Sequence, residues 1–181
     1  MTRGINCFYL NDIYSGGLPR PTEEKPRVFI SHQKKDSDSA RAIADYLQDA
    51  GIDVYFDQYD RSINRSDPQS VVSAIKRGIQ NSSHMLVLFS PNTFGSMWVP
   101  WEIGYAYNSS VSLSVLRLKG VEREKLPEFL KVVNTVMSIY QLNSLIASIR
   151  RTNRNQIILE NRSFSENNAT HVLNNIMDSY A

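Results

Sequence analysis

Short apolar runs alternate with amphipathic stretches from residue 28 to residue 151, and this alternation limits the fold more than any other feature. Five runs have the length and composition of buried strands: 28–31, 52–56, 84–89, 113–118 and the weaker 136–139. Helices are predicted where apolar residues recur at helical spacing: 39–50, 69–81, 97–107 and 142–151, with a shorter helix or loop over 125–130. Alternation with short connections predicts a parallel sheet with helices on both faces.

Capping signals mark where these helices begin and end. Asp36 and Ser37 offer N-caps for the first helix, and Gly51 ends it. Pro68 opens the second helix, and Ser96 is a good N-cap for the third. Five strands in this order predict an α/β fold, a flavodoxin-like doubly wound five-stranded parallel sheet. The functional site of such a sheet lies at the carboxyl ends of its strands.

The composition excludes several classes of protein. A chain of 181 residues predicts one globular domain. Twenty basic against eighteen acidic residues give a net charge of +2, which is not the large, clustered charge of a nucleic-acid-binding protein. One cysteine and three separated histidines argue against a disulfide scaffold and a metal site. Because no signal peptide or run of about 20 apolar residues is evident, we expect a cytoplasmic protein without a membrane partner.

The loop after the first strand argues against the common ligands of this architecture. It reads Ser-His-Gln-Lys-Lys-Asp over 31–36, without the glycines of a dinucleotide-binding turn. It also lacks the phosphate cradle of flavodoxins. Ser31-His32 and Ser90-Pro91 stand at the ends of the strands where a phosphate-accepting receiver domain has its acidic residues. The fold class alone therefore does not give the function.

Four segments follow one another with a characteristic order and spacing: 26–32, 51–57, 83–90 and 96–103. They resemble the first three strands of TIR domains and the Trp-x-x-x-Glu segment that follows them. The resemblance divides the chain into an N-terminal arm (1–25), a TIR domain (26–140), and the last TIR helix with a C-terminal extension (141–181). The tail beyond Thr152 is polar and Asn-rich and is expected to be a solvated extension, and the alternative is that 157–159 and 172–177 form one more strand or helix.

The Trp-x-x-x-Glu segment supplies the main site residues that the resemblance implies. Trp98 and Glu102 are four residues apart on a predicted helix, so they share one face. By the resemblance, Glu102 is the catalytic residue and Trp98 binds the nicotinamide of NAD⁺ by stacking. One carboxylate can suffice because nicotinamide leaves as a neutral molecule. The competing interpretation is that Trp98 and Trp101 are core aromatics and that Glu102 only complements the helix dipole.

Further substrate-binding residues are expected after the first two strands: Ser31, His32, Gln33, Lys34, Asp57 and Tyr59. Lys34 can meet the pyrophosphate as a point charge, and a solvated lysine pair is the alternative. Gln33 stands where the family often has arginine, and Tyr59 is a candidate to stack on adenine. His84 begins a strand and is interpreted as a sheet-edge histidine rather than a catalyst.

The resemblance implies a stand-alone enzyme similar to the small TIR proteins of Thoeris-type anti-phage defence. It would cleave NAD⁺ as its substrate, with no cofactor and no metal, and release nicotinamide. Water, an internal adenine nitrogen or ribose hydroxyl, or a small nucleophile as acceptor gives ADP-ribose, a cyclic isomer or a conjugate. The expected partners are other TIR domains, in a homo-oligomer formed on activation, and a separate nucleotide-sensing effector.

Two other functions stay open at this point. A non-catalytic TIR adaptor would use loop 57–67 and the helix faces for TIR–TIR contacts, although adaptors usually lack the Trp-x-x-x-Glu pair. A nucleoside deoxyribosyltransferase would use a glutamate as nucleophile, although its usual glycine- and aspartate-rich motif is not evident. Nicotinamide release and base exchange on deoxyribonucleosides separate these functions.

Overall fold

The computed structural model describes residues 2–7, 20–56 and 67–180. Its strands are β1 (Arg27–Ser31), β2 (Asp53–Tyr55), β3 (His84–Phe89), β4 (Ser112–Arg117) and β5 (Asn134–Val136). Its α-helices are α1 (Ser37–Asp49), α2 (Pro68–Gln80), α3 (Trp98–Tyr107), α4 (Glu128–Lys131), α5 (Ile139–Ile149) and α6 (Arg154–Glu160). Short 3₁₀ turns lie at Lys34–Asp36, Pro91–Gly95, Arg123–Lys125 and Arg162–Phe164. Among the described residues, no helix is long and apolar enough to cross a lipid bilayer.

The five strands form one parallel sheet in the order β2-β1-β3-β4-β5. This is the flavodoxin-like order, so the predicted fold class is confirmed. Phe29 of β1 is in register with Tyr55 of β2 on one side and with Met85 of β3 on the other. Because the strand order reverses between β1 and β3, the carboxyl ends of these two strands border a crevice.

Each strand contributes side chains to two hydrophobic cores, one on each face of the sheet. In β3, Leu86 and Leu88 belong to the first core, whereas Met85 and Val87 belong to the second. Residues of α1, α5 and α6 complete the first core, and residues of α2, α3 and α4 complete the second. Burial on both faces explains why β3 reads as a continuous apolar run rather than as an alternating one.

The fifth strand and the helix after it begin earlier than predicted. β5 ends at Val136, and the last two residues of the predicted strand, Ser138 and Ile139, start α5 instead. The Ser138 hydroxyl accepts a hydrogen bond from the Gln141 N–H (3.3 Å), as an N-cap does. The apolar run is therefore shared between the end of a strand and a capped helix.

Residues 2–7 of the predicted irregular arm pair with the edge of the sheet. The Val54 N–H donates to the Ile5 carbonyl (2.9 Å), and Asn6 forms a parallel bridge with Val54. A Cβ atom at Gly4 would lie 2.0 Å from the nearest backbone oxygen, so this close approach requires glycine. The segment thereby covers part of an edge strand whose backbone groups would otherwise be open to other chains.

The prediction that the C-terminal extension is a solvated tail is wrong. Three of its apolar side chains are almost fully buried in the first core: Phe164, Leu173 and Met177. The extension also meets the start of α5, where the Ile139 N–H donates to the Asp178 carbonyl (2.7 Å). Residues of the extension are therefore part of the packed domain.

A buried polar network joins α1, α5 and the C-terminal extension. The Tyr46 hydroxyl donates to Asn143 Oδ1 (2.7 Å) and lies 3.2 Å from His171 Nε2. The Asn143 amide donates to the Glu166 carboxylate (2.8 Å), which also accepts from Arg154 (3.0 Å). These bonds matter because a buried polar group left unpaired costs about 1–3 kcal/mol.

Asn143 is fully buried and connects both halves of this network. We predict that Asn143→Leu lowers the free energy of unfolding by about 2–4 kcal/mol, because Tyr46 and Glu166 each lose a buried partner. Asn108→Leu is the control, since Asn108 is exposed at the end of α3, and should change that energy by less than about 0.5 kcal/mol. Urea denaturation followed by circular dichroism measures both. Equal effects would show that the network does not stabilise the domain.

His171 is kept neutral by its surroundings. The Leu173 N–H donates to its Nδ1 (3.1 Å), so the ring proton resides on Nε2, and burial lowers the pKa of His171. Burial also lowers the pKa of His32 and of His84. The unfolded chain therefore takes up protons near about pH 6.5 that the folded chain resists, and stability is lost as the pH falls below that value.

We expect the free energy of unfolding to decrease from about pH 7.5 to about pH 5.5, and to decrease less steeply in His171→Asn. The substituted amide oxygen can still accept from the Leu173 N–H, but it does not titrate. Urea denaturation at closely spaced pH values gives both slopes. If the substitution leaves the slope unchanged, His171 does not contribute to the acid sensitivity of the fold.

Candidate active site

The carboxyl ends of β1 and β3 bring the predicted site residues to one edge of the sheet. β1 ends at Ser31, and β3 is followed directly by Ser90. The tight turn Pro91–Gly95 then leads into α3, so the first residues of this helix lie close to the crevice. The predicted location of the site, at the strand ends where the strand order reverses, agrees with this arrangement.

Glu102 lies on the buried face of α3. It shares that face with Val99, Ile103 and Ala106, which pack into the second core, and it is only 8% exposed. The buried hydroxyl of Ser31 donates a hydrogen bond to Glu102 Oε2. A carboxylate in an apolar stripe is costly unless it is hydrogen-bonded, so this bond both stabilises the group and fixes its position.

Trp98 lies one helical turn before Glu102 and is 45% exposed. Ser96, the predicted N-cap, accepts a hydrogen bond from the Val99 N–H (3.2 Å), although Met97 is the residue directly before α3. Trp98 meets Trp101 edge-on, with ring centroids 6.0 Å apart, and Trp101 stacks on Tyr105 at 5.8 Å. Trp101 is therefore a packed aromatic, whereas about half of the Trp98 side chain is open to solvent.

The structure places His32, Gln33 and Lys34 in the loop between β1 and α1. His32 packs against Phe56, with ring centroids 5.1 Å apart, and burial lowers its pKa, so the ring is neutral at pH 7. Gln33 Oε1 accepts from the Lys34 N–H (2.8 Å) and caps the following turn. Of these three side chains, Lys34 is the exposed one.

Asp57 and Tyr59 lie outside the described residues, so their predicted roles stay predictions. His84 begins β3, at the end of the sheet opposite the crevice, and its Nδ1 lies 2.9 Å from the Ser83 hydroxyl oxygen. His84 is thus at the start of the central strand rather than at an edge of the sheet. Across residues 2–7, 20–56 and 67–180, no three His, Cys, Asp or Glu side chains are grouped so that they could hold a metal ion.

Sequence reasoning missed a second polar cluster at the crevice. Asp36, predicted only as a helix cap, makes no side-chain capping bond. Its carboxylate accepts instead from the Ser90 hydroxyl (2.6 Å) and from the Asn92 amide (2.7 Å). The predicted strand order could have indicated this cluster, because β1 and β3 are neighbours in the sheet and the loops after them therefore lie close together.

From β1 into α6, over residues 28–158, the chain matches the family model of the TIR domain. This chain belongs to the TIR domain family. The match confirms the resemblance carried by the four sequence segments. It also continues beyond residue 140, so α5 and most of α6 lie within the matched part of the TIR domain.

Three bacterial relatives align with part of this chain. The chain is 30% identical over 80 residues to the "Probable 3′ cyclic ADP-D-ribose synthase ThsB′" of Bacillus cereus (strain MSX-D12). These 80 residues cover 43% of this chain and 42% of that protein. The chain is 29% identical over 87 residues to the "2′ cyclic ADP-D-ribose synthase BtTIR" of Bacteroides thetaiotaomicron (48% and 29%). It is also 29% identical over 100 residues to the "2′ cyclic ADP-D-ribose synthase AbTIR" of Acinetobacter baumannii, which covers 52% of this chain and 35% of that protein. The chain thus spans less than half the length of each relative.

The crevice of this TIR domain combines a fixed carboxylate with an open aromatic ring. Glu102 is largely shielded from water, where a negative charge stabilises a nearby positive charge more strongly than it does in bulk solvent. Trp98 offers a π-face on which a flat or cationic ring can stack. Together they suit a substrate with a planar cationic ring bonded to a carbon atom, where that carbon becomes positively charged as its bond to the ring breaks.

The two tryptophans should differ in their contribution to stability. We predict that Trp98→Ala lowers the free energy of unfolding by less than about 1 kcal/mol, because its ring is half exposed. Trp101→Ala should lower it by about 2 kcal/mol or more, because two aromatic neighbours lose contact. Urea denaturation of both variants measures the difference. Similar losses would favour the interpretation that Trp98 is a core aromatic.

Proposed function

We propose that this TIR domain cleaves the nicotinamide–ribose bond of NAD⁺ and converts the remainder into a cyclic ADP-ribose. The observation that carries the proposal is the buried Glu102 carboxylate, held by Ser31 one helical turn from the half-exposed Trp98. The names of the three relatives support the same class of reaction, since each names a cyclic ADP-D-ribose synthase.

NAD⁺ presents the two features for which this pair is suited. Its nicotinamide is a planar cation that can stack on Trp98. When the bond from the ribose C1′ to the ring nitrogen breaks, both electrons go to nicotinamide, and the ribose becomes oxocarbenium-like. The Glu102 carboxylate can stabilise this positive charge and hold the ribose hydroxyls. Because the leaving group departs neutral, a second carboxyl group is not needed as a general acid.

The acceptor decides the product. A ribose hydroxyl of the adenosine half closes the ring: its oxygen bonds to C1′ as its proton leaves, so the products are cyclic ADP-ribose, nicotinamide and a proton. Water gives ADP-ribose, and a small nucleophile gives a conjugate. The primed numbers in the relatives' names denote ribose positions and favour the ribose-hydroxyl acceptor.

The proposal includes assembly with other TIR domains. Met97 is 86% exposed and Phe94 is about half exposed, and both precede Trp98 at the entry to α3. Exposed apolar side chains beside a site favour contact with a second chain. The assembled protein would supply its nucleotide product to a separate effector in anti-phage defence of the Thoeris kind.

Release of nicotinamide from NAD⁺ by the purified chain tests the proposal, with mass spectrometry of the nucleotide product. We expect Glu102→Gln to lower the rate by about 10²–10³-fold, because the amide keeps the shape of the side chain but removes its charge. Glu128→Gln on α4 is the matched control, since its side chain is 89% exposed, and it should retain the wild-type rate. Protein is assayed at high concentration and with enforced assembly, so that oligomer formation does not limit the rate.

Binding can be followed separately because Trp98 and Trp101 are the only tryptophans of the chain. NAD⁺ should quench the fluorescence of Glu102→Gln, and quenching should persist after Trp101→Phe is added, which leaves Trp98 alone. Equally slow nicotinamide release by wild type and Glu102→Gln would refute the catalytic proposal and leave the adaptor. Base exchange on deoxyribonucleosides would favour a deoxyribosyltransferase.

A further inference from the structure

The carboxylate of Asp36 joins two loops that are far apart in the sequence. It is only 8% exposed, although it stands at the N-cap position of α1, where an aspartate usually bonds the helix backbone. One carboxylate oxygen accepts from the Ser90 hydroxyl (2.6 Å), and the other accepts from the Asn92 side-chain amide (2.7 Å). Both partners belong to the turn after β3, so the bonds run from the first loop to the segment that leads into α3.

The turn that receives these bonds is itself tightly held. The Ser90 hydroxyl accepts from the Asn92 N–H (3.0 Å), and the Ser90 N–H donates to the Thr93 hydroxyl (3.0 Å). The turn then runs into Ser96, whose hydroxyl caps α3. A shift of Ser90 would therefore be passed to the first turn of α3, where Trp98 lies.

Two hydrogen-bonded connections thus join the end of β1 and the loop after it to α3 and to the turn before α3. Ser31, at the end of β1, bonds Glu102 of α3, and Asp36, in the loop, bonds Ser90 of the turn. Residues 32–34, the predicted substrate-binding part of the first loop, lie between these two anchors. A short segment fixed at both ends to the same structure has little freedom to move relative to it.

We propose that Asp36 is a positioning residue that fixes residues 32–34 against α3. The inference rests on the proposed function, because the first loop and α3 would then bind two parts of one dinucleotide. Asp36 acts through Ser90 and Asn92 and touches no reacting atom. The effect can be large, because a misplacement of about 1 Å can lower a rate by about a hundredfold.

The donor and the acceptor of the bond between residues 36 and 92 can be exchanged. Asp36→Asn weakens the bond by removing the charge and one acceptor, and Asn92→Asp replaces it by two facing carboxylates. The double variant restores an amide-to-carboxylate bond in the opposite direction and still offers Ser90 an oxygen. We expect each single variant to raise the KM for NAD⁺ by about tenfold, and the double variant to return it to within about threefold of wild type.

Asp38→Asn is the matched control, because Asp38 is an exposed carboxylate in the first turn of α1, and it should leave KM unchanged. Urea denaturation of every variant gives the folded fraction. A merely structural role would lower the folded fraction and the rate while KM stays constant. That result, or a double variant as impaired as the single ones, would overturn the proposal.

A wild-type chain that releases no nicotinamide would refute the proposed function, and the role of Asp36 would then be read from the tryptophans. Trp98 and Trp101 both lie on α3, so their emission maximum and their quenching by acrylamide report how the start of the helix is held. Both signals should change in each single variant and revert in the double variant. Identical signals in all four chains would overturn the role of Asp36.

Discussion

The hydrogen bond from Ser31 to Glu102 is the interaction on which the crevice depends. It joins the carboxyl end of β1 to the buried face of α3, next to the point where the strand order reverses. An apolar side chain at residue 102 would pack well beside Val99 and Ile103, so packing does not explain why a carboxylate is there. A buried ionisable group with a specific partner, at a place where the fold forms a crevice, is the kind of local inconsistency that marks a functional site.

Buried polar groups have two different tasks in this domain. At the crevice they join loops: Ser31 holds Glu102, and Asp36 holds the turn that begins with Ser90. On the face covered by α1 and α5, the network around Asn143 holds the C-terminal extension to the rest of the domain. Substitutions in the first group should therefore alter the geometry of the site, whereas substitutions around Asn143 should alter mainly stability.

Much of the fold was predictable because it follows from local patterns. β3 is recognisable because burial on both faces makes it continuously apolar, and the start of α3 is set by Ser96. Tertiary partners are not encoded locally: Asp36 has the chemistry of a cap, yet Ser90 takes its carboxylate instead. The extension was mispredicted because its polar, Asn-rich composition was given more weight than its few apolar residues, of which three are buried: Phe164, Leu173 and Met177. Spacing likewise placed Trp98 and Glu102 on one helix face, but it did not distinguish the exposed side chain from the buried one.

The exposed apolar side chains at the entry to α3 connect substrate binding with assembly. Apolar surface left in water is unfavourable by about 25 cal/mol per Å², so a partner that covers Met97 and Trp98 gains free energy from both. In the proposed reaction the nicotinamide ring covers Trp98, and a neighbouring chain covers Met97. These two residues are adjacent at the entry to α3 and follow the turn that Asp36 holds through Ser90 and Asn92. Because this turn is already held, neither occupant has to order it on binding, so less entropy is lost when Met97 and Trp98 are covered.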